Sequence, residues 1–469
     1  MTDAQRLAAF VLQSRYEDLS DGSLLQLKIR ILDALGCAIG ALGSSIASKL
    51  RDHTREFGAE GQCTLIGGQR SAPDRVAFFN SALVRYLDFN DSYLAKGETC
   101  HPSDNLGAVL AACEYAGRSG RDFLTALAVA YQVQCRLSDV APVRAKGFDH
   151  TTQGAYAVAA GVAKGLGLDQ EQTAHSLAIC GAAFNALRVT RTGALSNWKG
   201  LAYPNTAFGC THAAFLAMRG ITGPLKVFEG NKGFMDSIAG RFEIDWAQEG
   251  LDRVTHTIIK KYNAEIHSQS AIDAALELKQ RLRLTGREVE QVNIEIFDVA
   301  FHIIGGGEEG DKRAVRTKEE ADHSLPYLVS VALLDGGVMP AQFSADRICR
   351  ADVQELLRKV RVEPSDDFSR RFPQELPCRL TLRLRDGRTE AIEKRDYEGF
   401  TTNPESWETA LRKFGALADV HTTSSLREQI AEAVRNLEGI EIGRLTDLLG
   451  QVTSAPLERE KGVFQDGSR

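Results

Sequence analysis

Over the first two-thirds of the chain, apolar positions recur every three or four residues, the period of helices that bury one face. Leu24, Leu27, Ile31, Leu32 and Leu35 form one such stripe. Val76, Phe79, Leu83 and Leu87 form another, behind a Ser71-Ala-Pro-Asp74 start in which Pro73 is tolerated in the first turn. Asp122 is expected to open a helix with Leu124, Leu127, Tyr131 and Leu137 inward. Asp169 with Gln172 makes a capping box, and Gly181 is expected to stop the helix that follows. Segments 154–165 and 207–217 are rich in Ala and Gly, which lets helix backbones approach closely in the middle of a packed domain. Cys63–Ile66, bounded by glycines, reads as a short strand.

After about residue 285 the period changes. Val292, Ile294 and Ile296 alternate with Gln291, Asn293 and Glu295, as in a half-buried strand. Arg379–Leu384 and Arg388–Ile392 flank Asp386-Gly387, a two-residue hairpin signal. Helical spacing returns over Glu405–Ala418 and Ser425–Leu437, and residues 455–469 are polar, aperiodic and expected to fray. The pattern predicts a large helical domain followed by a smaller α/β domain. It leaves open which of the two the last helices join.

Length favours two domains, since 469 residues exceed one simple core. Hydrophobic (43%) and charged (25%) fractions are ordinary for a globular chain and single out no unusual class. A formal charge of -6 argues against a nucleic-acid or anionic-membrane partner, though local cations still decide anion binding. Met1–Phe10 lacks the basic start and apolar run of a signal peptide, and no stretch is apolar for the roughly 18–20 residues a membrane span needs. Nine scattered cysteines without a CxxC pair fit a reducing, cytoplasmic setting.

Five segments concentrate chemistry. In Arg85-Tyr-Leu-Asp-Phe-Asn-Asp-Ser-Tyr93, Asp88, Asp91 and Ser92 stand at i, i+3 and i+4, which one helical turn would put on one face. His101 precedes Pro102-Ser103-Asp104, a helix start whose exposed N–H groups suit a carboxylate ligand; the other reading is an acidic loop with a surface histidine. His150 opens the small-residue helix, either as a functional group or as a cap. Lys199 lies between Trp198 and Gly200, and Lys260 follows an apolar pair with His267 close behind; both lysines read equally as solvated. Tyr327, in Asp322-His-Ser-Leu-Pro-Tyr327, is a site hydroxyl or a core aromatic. HExxH, P-loop, GxSxG and spaced metal-cysteine patterns are missing, and Gly305–Gly310 puts acids where a phosphate would lie. An acid–base kit for an anionic substrate is left.

At these residues the chain resembles the MmgE/PrpD family. Arg85–Asp91 (RYLDFND), Ser92–Lys96 (SYLAK) and His101–Gly107 (HPSDNLG) look like its signature. The likeness continues through Asp149–Gly154, Trp198–Gly200, Phe228–Phe234, Lys260–Asn263 and His323–Tyr327, over about residues 5–450. The family includes 2-methylcitrate dehydratases, cis-aconitate decarboxylases and iminodisuccinate epimerases. The resemblance implies a mainly α fold with an α+β lid: a large all-helical domain from both chain ends (residues 1–267 and 405–455), an inserted lid (268–404) and a flexible tail (456–469). It also implies a homodimer and a cofactor-independent, metal-free hydro-lyase of the methylcitrate cycle, in propionate catabolism.

Carried over by position, the family's aspartate falls on Asp88 and its hydroxyl residue, commonly threonine, on Ser92. Its histidines fall on His101 and His150, its lysines on Lys199 and Lys260, and its tyrosine on Tyr327. Asn263 stands where a proline is frequent. The long RYLDFNDSYLAKGETCHPSDN form is most similar to the methylcitrate dehydratases, so dehydration of 2-methylcitrate, with citrate as a further substrate, is the expected reaction. Decarboxylation or epimerisation on the same scaffold is the alternative, and a non-catalytic helical binder the distant one. In the expected reaction His101 moves the proton and Asp88 orients or tunes His101, while Ser92 and Tyr327 supply hydrogen bonds or the leaving-group proton. Lys199, Lys260 and His150 hold carboxylates, with Asp91 and His267 as further substrate-binding candidates.

Overall fold

A computed structural model describes residues 1–57, 61–193, 195–308 and 310–455, so the tail expected at 456–469 lies outside the described residues. Helix dominates, with a small mixed sheet of four strands late in the chain. The first core is built from helices Asp21–Gly40, Pro73–Tyr86, Leu106–Tyr115, Gly120–Val140, Thr151–Leu166 and Trp198–Met218, with others around them. The Ala/Gly-rich pattern places Thr151–Leu166 at its middle, where Gly161 lets Val109 and Ala130 come close.

Three boundary expectations are corrected. The Pro73 helix has Ala72 at its N-cap with no side-chain hydrogen bond, because Ser71 is spent in a two-residue strand pairing Cys63–Thr64. The helix expected at Asp122 starts at Gly120; Asp122 instead completes a capping box with Ser119. Gly181 does not stop its helix, which runs to Ala183. It is there to clear Tyr156, whose ring a Cβ would meet at 2.4 Å.

The second core spans 258–400. Val289–Ile296 pairs in parallel with Val360–Pro364 and antiparallel with Cys378–Leu384, which forms the expected hairpin with Thr389–Lys394. Helices Gln269–Leu282 and Leu325–Asp335 cover the sheet. The chain changes cores at 258–262: Ile259 belongs to the first and Tyr262 to the second. On the way back Gly399, at φ 116, accepts the Ile259 N–H at its carbonyl; a side chain there would strike the Ile259 oxygen.

The last helices, Trp407–Ala418, Ser424–Arg435 and Ile442–Gly450, return to the first core. Phe414 is 1% exposed and lies on Gly36, where a Cβ would sit 3.1 Å from its Cα. Phe414→Ala should therefore cost about 3–5 kcal/mol, read as a lowered denaturation midpoint. A loss under about 1 kcal/mol would separate these helices from the first core.

Candidate active site

Where the cores meet, a cavity of ≈ 490 Å³, open solvent included, is lined by five arginine and lysine side chains, three carboxylates and four of the chain's ten histidines. A larger space of ≈ 1310 Å³ shares Glu98, Thr99, Arg144 and Arg188 with it and continues outward.

The Pro73 helix ends at Tyr86, so Asp88, Asp91 and Ser92 do not share a helical face. Asp88 adopts φ 56, the left-handed region that aspartate tolerates better than most residues. This turns its carboxylate back onto cations. Arg85 Nη1 donates to Oδ1 at 2.5 Å and Lys260 Nζ at 2.6 Å, while Lys199 Nζ lies 3.2 Å from Oδ2. Burial alone would raise its proton affinity, but Arg85, Lys260 and Lys199 hold it well below the usual carboxylate range.

Arg85 also fixes His101. Its Nη2 meets Nε2 at 3.3 Å, and a guanidinium only donates, so Nε2 is the acceptor. Nδ1–H then donates to the Asp91 carbonyl at 2.8 Å, with Ser92 Oγ 3.1 Å away. Burial, Arg85 and Lys260 push His101 well below the ordinary histidine value, so the ring is neutral. Asp88 reaches His101 through Arg85 rather than by a contact of its own. His150 packs edge-on to His101 at 5.4 Å. Its Nδ1 lies 3.3 Å from Asp149, which is gripped by Arg191 at 2.5 Å; its Nε2 is buried with no hydrogen-bond partner among the described residues. Burial lowers His150 to about 3, only partly opposed by Asp149.

Several expected roles are corrected. Asp91 is fully buried and its oxygens are spent: Ser103 N–H and Oγ donate to Oδ1 at 3.0 and 2.7 Å, and Tyr131 donates to Oδ2 at 2.7 Å. It locks the His101 turn and does not line the cavity. Ser92 is likewise fully buried, serving His101 and bridging to Ile258. Lys199 does not line the main cavity; its three donors already meet Asp322 at 2.7 Å, His323 at 2.9 Å and Asp88 at 3.2 Å. The Asp88, Asp322 and His323 atoms lie close enough to hold a metal ion, but the cation among them is Lys199's own ammonium. Tyr327 is the core aromatic: it is 0% exposed and its hydroxyl donates to the Gln342 carbonyl.

Lys260 spends two donors on Asp88, at its carbonyl (2.8 Å) and Oδ1, and lines the cavity. His267 lines it too. Arg144, Arg188, Arg191, Glu98, Glu265 and His323 are cavity residues that the sequence patterns did not single out. The three arginines sit in or beside short 3-10 turns with no period to read. Arg85 was not singled out either; the signal that could have found it is its i, i+3 spacing from Asp88.

Family models agree with this architecture. The MmgE/PrpD N-terminal domain matches residues 5–247 and the MmgE/PrpD C-terminal domain residues 262–439. Cis-aconitate decarboxylase of Mus musculus is 26% identical over 449 residues, 90% of this chain and 88% of that protein. The Homo sapiens cis-aconitate decarboxylase is 26% identical over 448 residues, covering 90% and 89%. The 2-methylcitrate dehydratase of Escherichia coli (strain K12) is 28% identical over 338 residues, covering 67% and 68%. With the two domain models together spanning most of its length, the chain belongs to the MmgE/PrpD family.

Proposed function

We propose that this cleft removes water from a small tricarboxylate, with 2-methylcitrate the leading substrate and 2-methyl-aconitate the product. The observation that carries the reading is His101, a neutral imidazole whose Nε2 is an acceptor inside a cavity ringed by cations. Dehydration needs a base for a proton on carbon beside a carboxylate. The carbanion-like state throws charge onto that carboxylate, where preformed cations stabilise it most. Arg85 and Lys260 flank His101, so that charge develops beside them. Arg191 and His150 form a second anchoring point for a polyanion.

Curated relatives named 2-methylcitrate dehydratase support this reading. The longer matches to proteins named cis-aconitate decarboxylase support the rival, loss of carbon dioxide from an unsaturated tricarboxylate. Both reactions build charge beside a carboxylate, so the same cations serve either. Dehydration also asks for a proton donor to the leaving hydroxyl, and the cavity holds further imidazoles for that task.

Purified protein given 2-methylcitrate should produce the ultraviolet absorbance of a new double bond; carbon dioxide from cis-aconitate with no absorbance from methylcitrate would select the rival. His101→Ala should lower turnover by roughly 10²–10⁴ with its unfolding transition intact, and a near-normal rate would remove His101 from the chemistry.

The lowered proton affinity of His101 sets the pH response. A base with a depressed pKa keeps its lone pair as pH falls, so kcat/KM, with substrate ionisation divided out, should hold its plateau through pH 6.5 and drop only below it. An acid limb centred at or above 6.5 would contradict this.

Lys199→Met removes a charge that braces Asp88, Asp322 and His323 rather than one that grips substrate. It should cut kcat by about 10²-fold with KM changed only a few-fold. A rise in KM alone would return Lys199 to carboxylate binding.

A further inference from the structure

On the lid side of the cavity stands an imidazole set up differently from His101. Glu265 begins the short turn Ile266–Ser268, and its carboxylate takes two hydrogen bonds from His267: the backbone N–H at 2.8 Å and the ring Nδ1 at 2.6 Å. Burial would raise Glu265, but His267, His323 and Lys260 hold it at about 2, so it is an ionised acceptor and Nδ1 carries the hydrogen. The ring sits against Phe297 and Phe372, at centroid distances of 5.6 and 5.7 Å, and is 1% exposed. Only Nε2 is left. It is buried without a hydrogen-bond partner among the described residues, on a ring that lines the cavity. A buried polar atom without a partner is costly and calls for a reason.

The two imidazoles therefore face one cavity with opposite surroundings. At His101, Nε2 lies against Arg85 with Lys260 near, so a proton held there meets cations. At His267 the bonded partner is an anion, the arrangement in which a carboxylate fixes the tautomer and supports an imidazolium.

The geometry points to His267 as the catalytic acid of this cleft, handing its Nε2 proton to the departing hydroxyl while Glu265 holds Nδ1–H. This rests on the dehydration reading above. The step balances as follows: His101 Nε2 gives up its hydrogen bond from Arg85 and takes the proton from carbon, the C–H pair becomes the second bond of the new double bond, and the C–O bond breaks. The leaving oxygen takes the proton from His267 and departs as water. His101 then releases a proton to solvent and His267 takes one up, so the net change is loss of one water.

Deuterium exchange separates the two roles. Wild-type protein, His267→Gln and His101→Ala are incubated with 2-methylcitrate in D2O, with product followed by absorbance and carbon-bound deuterium in recovered substrate by NMR. His267→Gln should dehydrate at least about 10²-fold more slowly yet still exchange deuterium into substrate, because His101 still opens the C–H bond. His101→Ala should lose both. A His267→Gln protein that dehydrates within about threefold of wild type, or that loses exchange in step with dehydration, overturns the proposal. Glu265→Gln, which keeps the acceptor and removes the charge, should show the same split more weakly and serves if His267→Gln fails to fold. A wild-type protein that neither dehydrates nor exchanges any tricarboxylate, while releasing carbon dioxide from cis-aconitate, overturns the dehydration reading itself.

Discussion

The site depends on one buried carboxylate. Asp88 is 2% exposed and compensates Arg85, Lys199 and Lys260, side chains from positions far apart in the chain. Taking such charges out of water costs several kcal/mol each, and only close pairing with further hydrogen bonds recovers it. Without Asp88 the three cations would repel one another in a poorly solvated space. The left-handed backbone at Asp88 belongs to the same solution: an aspartate there costs on the order of 1–3 kcal/mol, and Lys260 holds it by donating to both its carbonyl and its carboxylate. The helix has to end at Tyr86 for this turn to exist.

A hub made from distant segments also needs its loops tied. Ser92 and Ile258 exchange backbone hydrogen bonds of 2.8 Å, which joins the Asp88 loop to the Lys260 loop. From behind, Lys413 donates to the Phe89 and Lys260 carbonyls at 2.8 Å each, and its charge is met by Asp33 at 2.6 Å. Lys413 sits on a helix near the end of the chain, and Asp33 on one near its start. The return of the last helices to the first core thus closes the site as well as the core. From the second core, Lys318 reaches across to the Tyr86 carbonyl at 2.7 Å and to Asp322 at 2.6 Å.

Periodicity made the fold legible wherever one face of an element is buried. The strand at 289–296 and the Asp386-Gly387 hairpin follow directly from alternation and turn chemistry, as does the Asp169 capping box. It failed where a residue's reason is tertiary. Gly181 reads as a stop but is a clearance for Tyr156, and Ile442–Gly450, a nine-residue helix, was too short to stand out. The candidate site shows the same division. His101, His150, Lys260 and Asp88 were legible from their motifs, and they share one cavity. The roles of Asp91, Ser92, Lys199 and Tyr327 were not, because a motif names a residue without saying whether its polar atoms are already spent. Arg144, Arg188 and Arg191 reach the cavity from irregular segments whose placement only the packed structure sets.

Holding two histidines neutral beside so many cations looks wasteful until the ligand's own charge is included. Burial together with Arg85 and Lys260 makes a proton on His101 unfavourable, and burial with Arg191, Arg85 and Arg188 does the same at His150 against the pull of Asp149. A bound polyanion places negative charge among those same cations, offsets their field at the rings and raises the proton affinity of both. In the proposed dehydration the group that accepts a proton from carbon is thus an unprotonated nitrogen, hydrogen-bonded only by Arg85, before substrate arrives, and it becomes able to hold the proton only once the carboxylates are seated. On that proposal binding and proton transfer are coupled through one set of charges, so part of the ligand's binding energy appears as stabilisation of the charged state along the reaction path rather than of the resting complex.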